Sequence, residues 1–180
     1  MSRMRKLSTG AALVVLGTLP VWANAELSCQ PGEKLTRVSG KIFNNAVASD
    51  KTLGTVHLRL GDDAKMKCGI VGQATGGSGG SFQYVHTFVC DDRVTLAPGY
   101  SVHSQLTLNT VGAFTSLQAC SAPEGAITGT FEETSTPVPN TGRGVFTGVE
   151  RGTIKIKGTI GCLSAIDMSF SGEVCLPGPH

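Results

Sequence analysis

Residues 65–90 read KMKCGIVGQATGGSGGSFQYVHTFVC, and this stretch decides the fold. Two runs of β-prone residues flank a low-complexity tip, Gly76-Gly77-Ser78-Gly79-Gly80-Ser81. Strands that border such a tip closely are read as a hairpin, with the glycines exposed at its turn, rather than as two domains and a linker. An antiparallel register about that tip sets opposite each other residues whose numbers total about 158, as those of Cys68 and Cys90 do. A non-hydrogen-bonded antiparallel pair brings side chains close enough for a cross-strand disulfide, so a Cys68–Cys90 bond is expected. In the second strand Phe82, Tyr84, His86, Phe88 and Cys90 share one parity, and Gln83, Val85 and Thr87 the other. Side chains alternate between the faces of a strand, so the first set is expected to point inward. Val85 and Val89 are apolar as well, which leaves open burial on both faces and a plain core role for His86.

The same alternation recurs along the chain. Val56, Leu58 and Leu60 alternate with His57 and Arg59; Val102, Ser104, Leu106 and Leu108 with His103, Gln105 and Thr107; Ile154 and Ile156 with Lys155 and Lys157. Turn signals separate these runs: Gly61-Asp62-Asp63, Asp91-Asp92, Pro98-Gly99, Pro123-Glu124-Gly125 and Pro137 to Gly142. Past the N-terminal segment no stretch sustains apolar residues at helical spacing, so almost no helix is expected. Candidate strands lie near 35–43, 55–60, 65–74, 82–90, 93–97, 101–109, 112–119, 126–134, 143–149, 152–161 and 166–175, with some merging. Short, regularly spaced strands in one domain predict an all-β fold, a small antiparallel barrel or, as the alternative, a β-sandwich. The glycines favour the barrel. Gly142, Gly144, Gly148, Gly152, Gly158, Gly161 and Gly172 fall within or beside the last strands, where glycine serves sharp bends, bulges and close approach of another chain.

Residues 1–25 read as a secretory signal peptide and 26–180 as a single barrel domain. Arg3, Arg5 and Lys6 precede an apolar stretch from Ala11 to Val21, and Ala23-Asn24-Ala25 is a small-x-small cleavage pattern. The apolar stretch is shorter than the roughly 20 residues that cross a bilayer, so no transmembrane segment is expected in the mature chain. Glu26, three residues before Cys29, is not the aliphatic residue that a lipoprotein signal wants. The expected location is periplasmic or extracellular, where cysteines pair. Three of the 15 basic residues and none of the 13 acidic ones lie in the signal, leaving 12 against 13. Without a basic run, nucleic-acid binding lacks its electrostatic footprint. The one tryptophan, Trp22, also falls in the signal, so no indole platform remains for stacking on a sugar.

All six cysteines follow the signal and are expected to form three disulfides that staple the barrel. Cys29, Cys120, Cys162 and Cys175 can connect in three ways; a pair through Cys175 that closes the C-terminal region is expected, with its partner open. No C-x-x-C occurs, which disfavours zinc and thioredoxin-type redox chemistry. Gly76 to Gly80 matches G-x-S-x-G formally, but no helix follows to form a nucleophile elbow. His57 and His103 sit on the polar parity of their strands, and His180 stands alone. Asp62-Asp63 and Asp91-Asp92 read as turn aspartates, because calcium-loop spacing is absent. Glu132 and Glu133 point to opposite faces if they lie on a strand, so they cannot together flank one glycosidic bond. If the barrel holds a cavity, Tyr84, His86 and Phe88 are the expected ligand-binding residues; no catalytic residue, metal or cofactor is assigned.

The run Gly142-Arg143-Gly144-Val145-Phe146-Thr147-Gly148, continued by Gly152 and the strand to Ile160, resembles the G-x-G-x-F…G segment of the allene oxide cyclase and dirigent barrel superfamily. The resemblance covers about residues 140–161. It implies an antiparallel barrel with a mainly apolar central cavity, in a group that cyclises a lipid epoxide or steers phenolic radical coupling without a cofactor. None of that group's functional residues has a match here, and the dense cysteines depart from its pattern. The resulting expectation is a secreted or periplasmic binding protein for a small apolar ligand or a macromolecular partner. The alternatives are a cofactor-free isomerase or cyclase working in the barrel cavity, and a structural envelope protein. A binding role is favoured over an enzymatic one.

Overall fold

The computed structural model describes residues 27–178; the signal peptide expected at 1–25 and His180 lie outside them. Ten strands follow one another: β1 (Glu33–Ala48), β2 (Lys51–Leu60), β3 (Ala64–Gly76), β4 (Ser81–Cys90), β5 (Val94–Ala97), β6 (Tyr100–Val102), β7 (Gln105–Ala119), β8 (Ile127–Pro137), β9 (Gly152–Ile160) and β10 (Ala165–Pro177). Eight of them close into an antiparallel barrel in the order β1-β10-β9-β8-β7-β4-β3-β2, and β5 and β6 form a separate two-stranded ribbon. Closure pairs every barrel strand on both edges, so no long edge is left to template association. The sandwich alternative is not realised.

Three strand assignments change. The runs near 101–109 and 112–119 are mostly one strand, β7, which bends at a bulge between Phe114 and Ser116. The run near 93–97 leaves the barrel wall and pairs with β6. Residues 143–149 are not a strand: Gly144–Phe146 form a short 3-10 turn. Gly144 takes φ +61°, a left-handed conformation open to glycine, over Ser104. Val145 N–H donates to Ser104 Oγ (2.9 Å), and that hydroxyl donates to Asp92 (2.5 Å). Held this way, the turn drives Phe146 and nearby Val149 into the barrel end, where each is 1% exposed. An alternating-looking run has become a plug because φ at Gly144 breaks the extended backbone.

The hairpin register is the one read from the sequence, with Cys68 opposite Cys90 and the two bonded. The remaining bonds are Cys29–Cys175 and Cys120–Cys162, and no described cysteine is free. Cys175 therefore ties β10 to the segment before β1, beside the Arg151–Glu33 ion pair (2.7 Å). Alternation sets the interior: Val56, Leu58 and Leu60 are buried between exposed His57 and Arg59. An eight-stranded barrel is just wide enough for side chains to fill it or for one small ligand, and this one is filled at one end and open at the other. The half next to Phe146 is packed, with a residual void of about 30 Å³ among apolar side chains. The space lies at the other end.

Candidate ligand-binding site at one end of the barrel

A cavity of about 130 Å³ opens at the end formed by the β1–β2, β3–β4, β7–β8 and β9–β10 connections. Its floor is buried Asn44, Thr52, His86, Phe131, Glu133, Ile166 and Met168, and its rim is half-buried Phe82, Tyr84, Phe114 and Ile160. Two glycines make room for it. Gly72 faces His86 across the β3–β4 ladder, and a Cβ there would lie 2.7 Å from His86 Cδ2 and 2.5 Å from Thr52 Oγ1. Gly112 faces Glu133 across β7–β8, and a Cβ there would lie 2.8 Å from Glu133 Cγ and 2.5 Å from the Phe82 ring.

The walls are aromatic. Phe82 meets Phe114, Phe131 and Tyr84 edge-on at centroid distances of 5.3, 5.7 and 6.0 Å. Tyr84 stacks on His86 at 5.4 Å with the rings 5° from parallel. Such pairs add about 0.5–1.5 kcal/mol beyond their buried area. Below them runs a polar line: His86 Nδ1 shares a hydrogen bond with Thr110 Oγ1 (3.0 Å), which shares another with Ser135 Oγ (2.7 Å). All three residues are buried, and the bonds fix the imidazole orientation.

Two buried side-chain oxygens in the cavity lining have no partner among the described residues. Asn44 donates through Nδ2 to Thr52 Oγ1 (3.3 Å) and leaves Oδ1 unpaired; Glu133 leaves Oε2 unpaired. Burial pushes the Glu133 carboxyl up to about 7 and His86 down to about 4, since removal from water penalises the charged form of each. The Tyr84 hydroxyl is raised by burial first, then by Glu133 and Asp50. Near neutral pH, His86 is uncharged and Glu133 is poised between its two forms. Among the described residues, no lysine or arginine lines this cavity.

Of the three residues read from the sequence, Tyr84 and His86 line this cavity, while Phe88 lies one layer deeper and edge-on to Phe146 at 5.6 Å. His86 touches both the cavity and the packed half. The sequence reading weighed Glu133 only as a pair with Glu132 and did not single out Asn44. Parity held the signal: Glu133 alternates inward with Phe131 and Ser135, and Asn44 with Ile42. Glu132 takes the outer face and pairs with Lys157 at 2.9 Å. Another cluster of metal-ligating residue types, Cys29, Glu33 and Cys175, is a staple, with both sulfurs bonded to each other and Glu33 held by Arg151. Comparison with protein-family models, with curated proteins and with solved structures gives no match for this chain.

Proposed function

We propose that the protein is an exported binding protein that holds one small, partly apolar molecule in the barrel-end cavity. The observation that carries this reading is the buried, unpartnered Glu133 Oε2 in an aromatic-walled space. Leaving such an acceptor unsatisfied costs about 1–3 kcal/mol. Water confined there would face apolar rings on most sides, and poorly held water is displaced at a gain by an apolar body that brings its own donor. The volume suits a small occupant: about 130 Å³ here compares with the roughly 150 Å³ engineered cavity that takes up benzene. Export is supported by three disulfides, which persist in oxidising compartments.

Native mass spectrometry of protein purified from its own host tests the reading. The expected spectrum carries one small-molecule adduct that leaves on collisional activation. Ile160→Trp, which sets an indole across the rim, is expected to remove the adduct without lowering the melting temperature. Bare protein in every preparation, with no uptake of small apolar probes, would overturn it.

A further inference from the structure

The chemistry of the cavity lining selects among occupants, provided that the cavity is a ligand site as read above. We propose that the occupant is a small organic cation, an alkyl- or arylammonium, whose N–H donors meet Glu133 and Asn44 and whose apolar body lies among Phe82, Phe114 and Phe131.

Three features carry the inference. First, the two unpartnered buried atoms, Glu133 Oε2 and Asn44 Oδ1, are both acceptors, so the complementary ligand presents donors. Glu133 is 6% exposed and Asn44 3%, which leaves little solvent to take a ligand's place. Second, the charge is one-sided. The ionisable groups lining the cavity are Glu133 from β8 and Tyr84 and His86 from β4; β1, β2, β7, β9 and β10 contribute none. Asp50, on the β1–β2 turn, adds negative potential at Tyr84. A carboxylate or phosphate ligand would find no cation and a repelling carboxyl. Third, the walls carry the rings of Phe82, Phe114 and Phe131, apolar surface that suits the body of such a ligand. Much of the desolvation that weakens a buried ion pair is already incurred at Glu133 when the barrel folds, so the ammonium meets a preorganised partner.

The pH dependence follows. An alkylammonium stays charged to about pH 10, so its binding tracks the ionisation of Glu133. The carboxyl titrates about 7 in the empty cavity, and amine affinity therefore falls about tenfold per unit as pH drops below 7.

Isothermal titration of the protein with isopentylamine, isopentanol and isovalerate, close in size and different in head group, tests this. At pH 8.5 the amine is expected to bind at least tenfold more tightly than the alcohol, and isovalerate not at all. At pH 5.5 the amine's advantage is expected to vanish while the alcohol's affinity holds. Glu133→Gln, checked for folding by its melting curve, is expected to bind amine and alcohol alike at both pH values. If that variant does not fold, the wild-type pH series stands on its own. Alcohol or isovalerate binding as tightly as amine at pH 8.5, or an amine affinity flat from pH 5.5 to 8.5, overturns the cation assignment and leaves the cavity a ligand site. Binding of none of the three overturns both.

Discussion

Gly72 stands directly across the β3–β4 ladder from His86, and the missing side chain is what gives the imidazole its place. A methyl group at Gly72 would push on His86 and on Thr52 Oγ1 at once. Both neighbours are held, His86 by Thr110 and Thr52 by Asn44, so neither yields freely. Gly72→Ala is expected to destabilise the barrel by about 1–3 kcal/mol through overpacking. Three residues earlier on the same strand, a Cβ at Gly69 meets nothing within 4 Å. Gly69→Ala is expected to stabilise by about 0.4–1 kcal/mol, because it restricts the unfolded chain. Urea midpoints of the two variants should move in opposite directions; movement of both the same way would mean that space at Gly72 is not what the site requires.

Glu133 and His86 make opposite demands on pH. The carboxyl is raised from its usual 4.5 to about 7, so the stability linked to its proton is full below 4.5 and is lost as pH rises to 7. The imidazole is lowered from 6.5 to about 4, so its contribution is full above 6.5 and is lost as pH falls through 4. Between 4.5 and 6.5 the two slopes, each about 1.4 kcal/mol per pH unit, oppose one another. The wild-type protein is therefore expected to show a nearly flat stability over that window. Glu133→Gln should expose the histidine and lose on the order of 3 kcal/mol on acidification from pH 6.5 to 4. His86→Phe, which leaves Thr110 bonded to Ser135, should expose the carboxyl and gain stability as pH falls from 7 to 4.5. Urea melts at half-unit pH steps check this, and a flat profile for either variant would refute the pairing.

The three disulfides close loops of very different length, with separations of 22 residues for Cys68–Cys90, 42 for Cys120–Cys162 and 146 for Cys29–Cys175. The chain-entropy relation gives about 3, 4 and 5 kcal/mol for these in turn. Removing Cys29–Cys175 as a double alanine variant is expected to cost most. It also frees the segment before β1 that carries Ser28, whose carbonyl accepts from Arg151 at 3.3 Å. Peptide mapping without reduction should recover these three pairs. Any other partner for Cys120 or Cys162 would mean that the β7–β8 and β9–β10 connections do not meet as described.

What could be read from the sequence follows from how local each signal is. The Cys68–Cys90 register was legible because a short tip fixes which residues face each other, and Tyr84 and His86 were legible as inward-facing because strand parity is a period-two rule. Cys29–Cys175 was not readable, since barrel closure joins the first and last strands through no local pattern. Parity also could not say that Glu133, from β8, and Asn44, from β1, would share a cavity with His86, from β4, because strand order around the barrel is a long-range property. The run at 143–149 misled because two left-handed glycines, Gly144 and Gly148, outweigh the strand preference of Val145, Phe146 and Thr147.

Phe146 closes the end of the barrel opposite the cavity, and its role is separable from the site. Its ring is 1% exposed and lies edge-on to Phe88 at 89°. The backbone around it is pinned by reciprocal hydrogen bonds between Arg143 and Gln105, 2.9 and 3.2 Å, and by Ser104. Because the turn cannot follow a shortened side chain inward, Phe146→Ala should leave a cavity and cost about 3–5 kcal/mol. For a domain of this size that corresponds to a melting temperature lower by roughly 10 °C. Phe146→Leu, which keeps most of the volume, should cost well under half as much. Isopentylamine affinity at 20 °C should be the same in both variants as in the parent, since the cavity lining does not include Phe146. A melting temperature within 2 °C of the parent for Phe146→Ala would mean that the plug is no part of the core, and a large change in affinity would mean that the packed half and the cavity are coupled through His86.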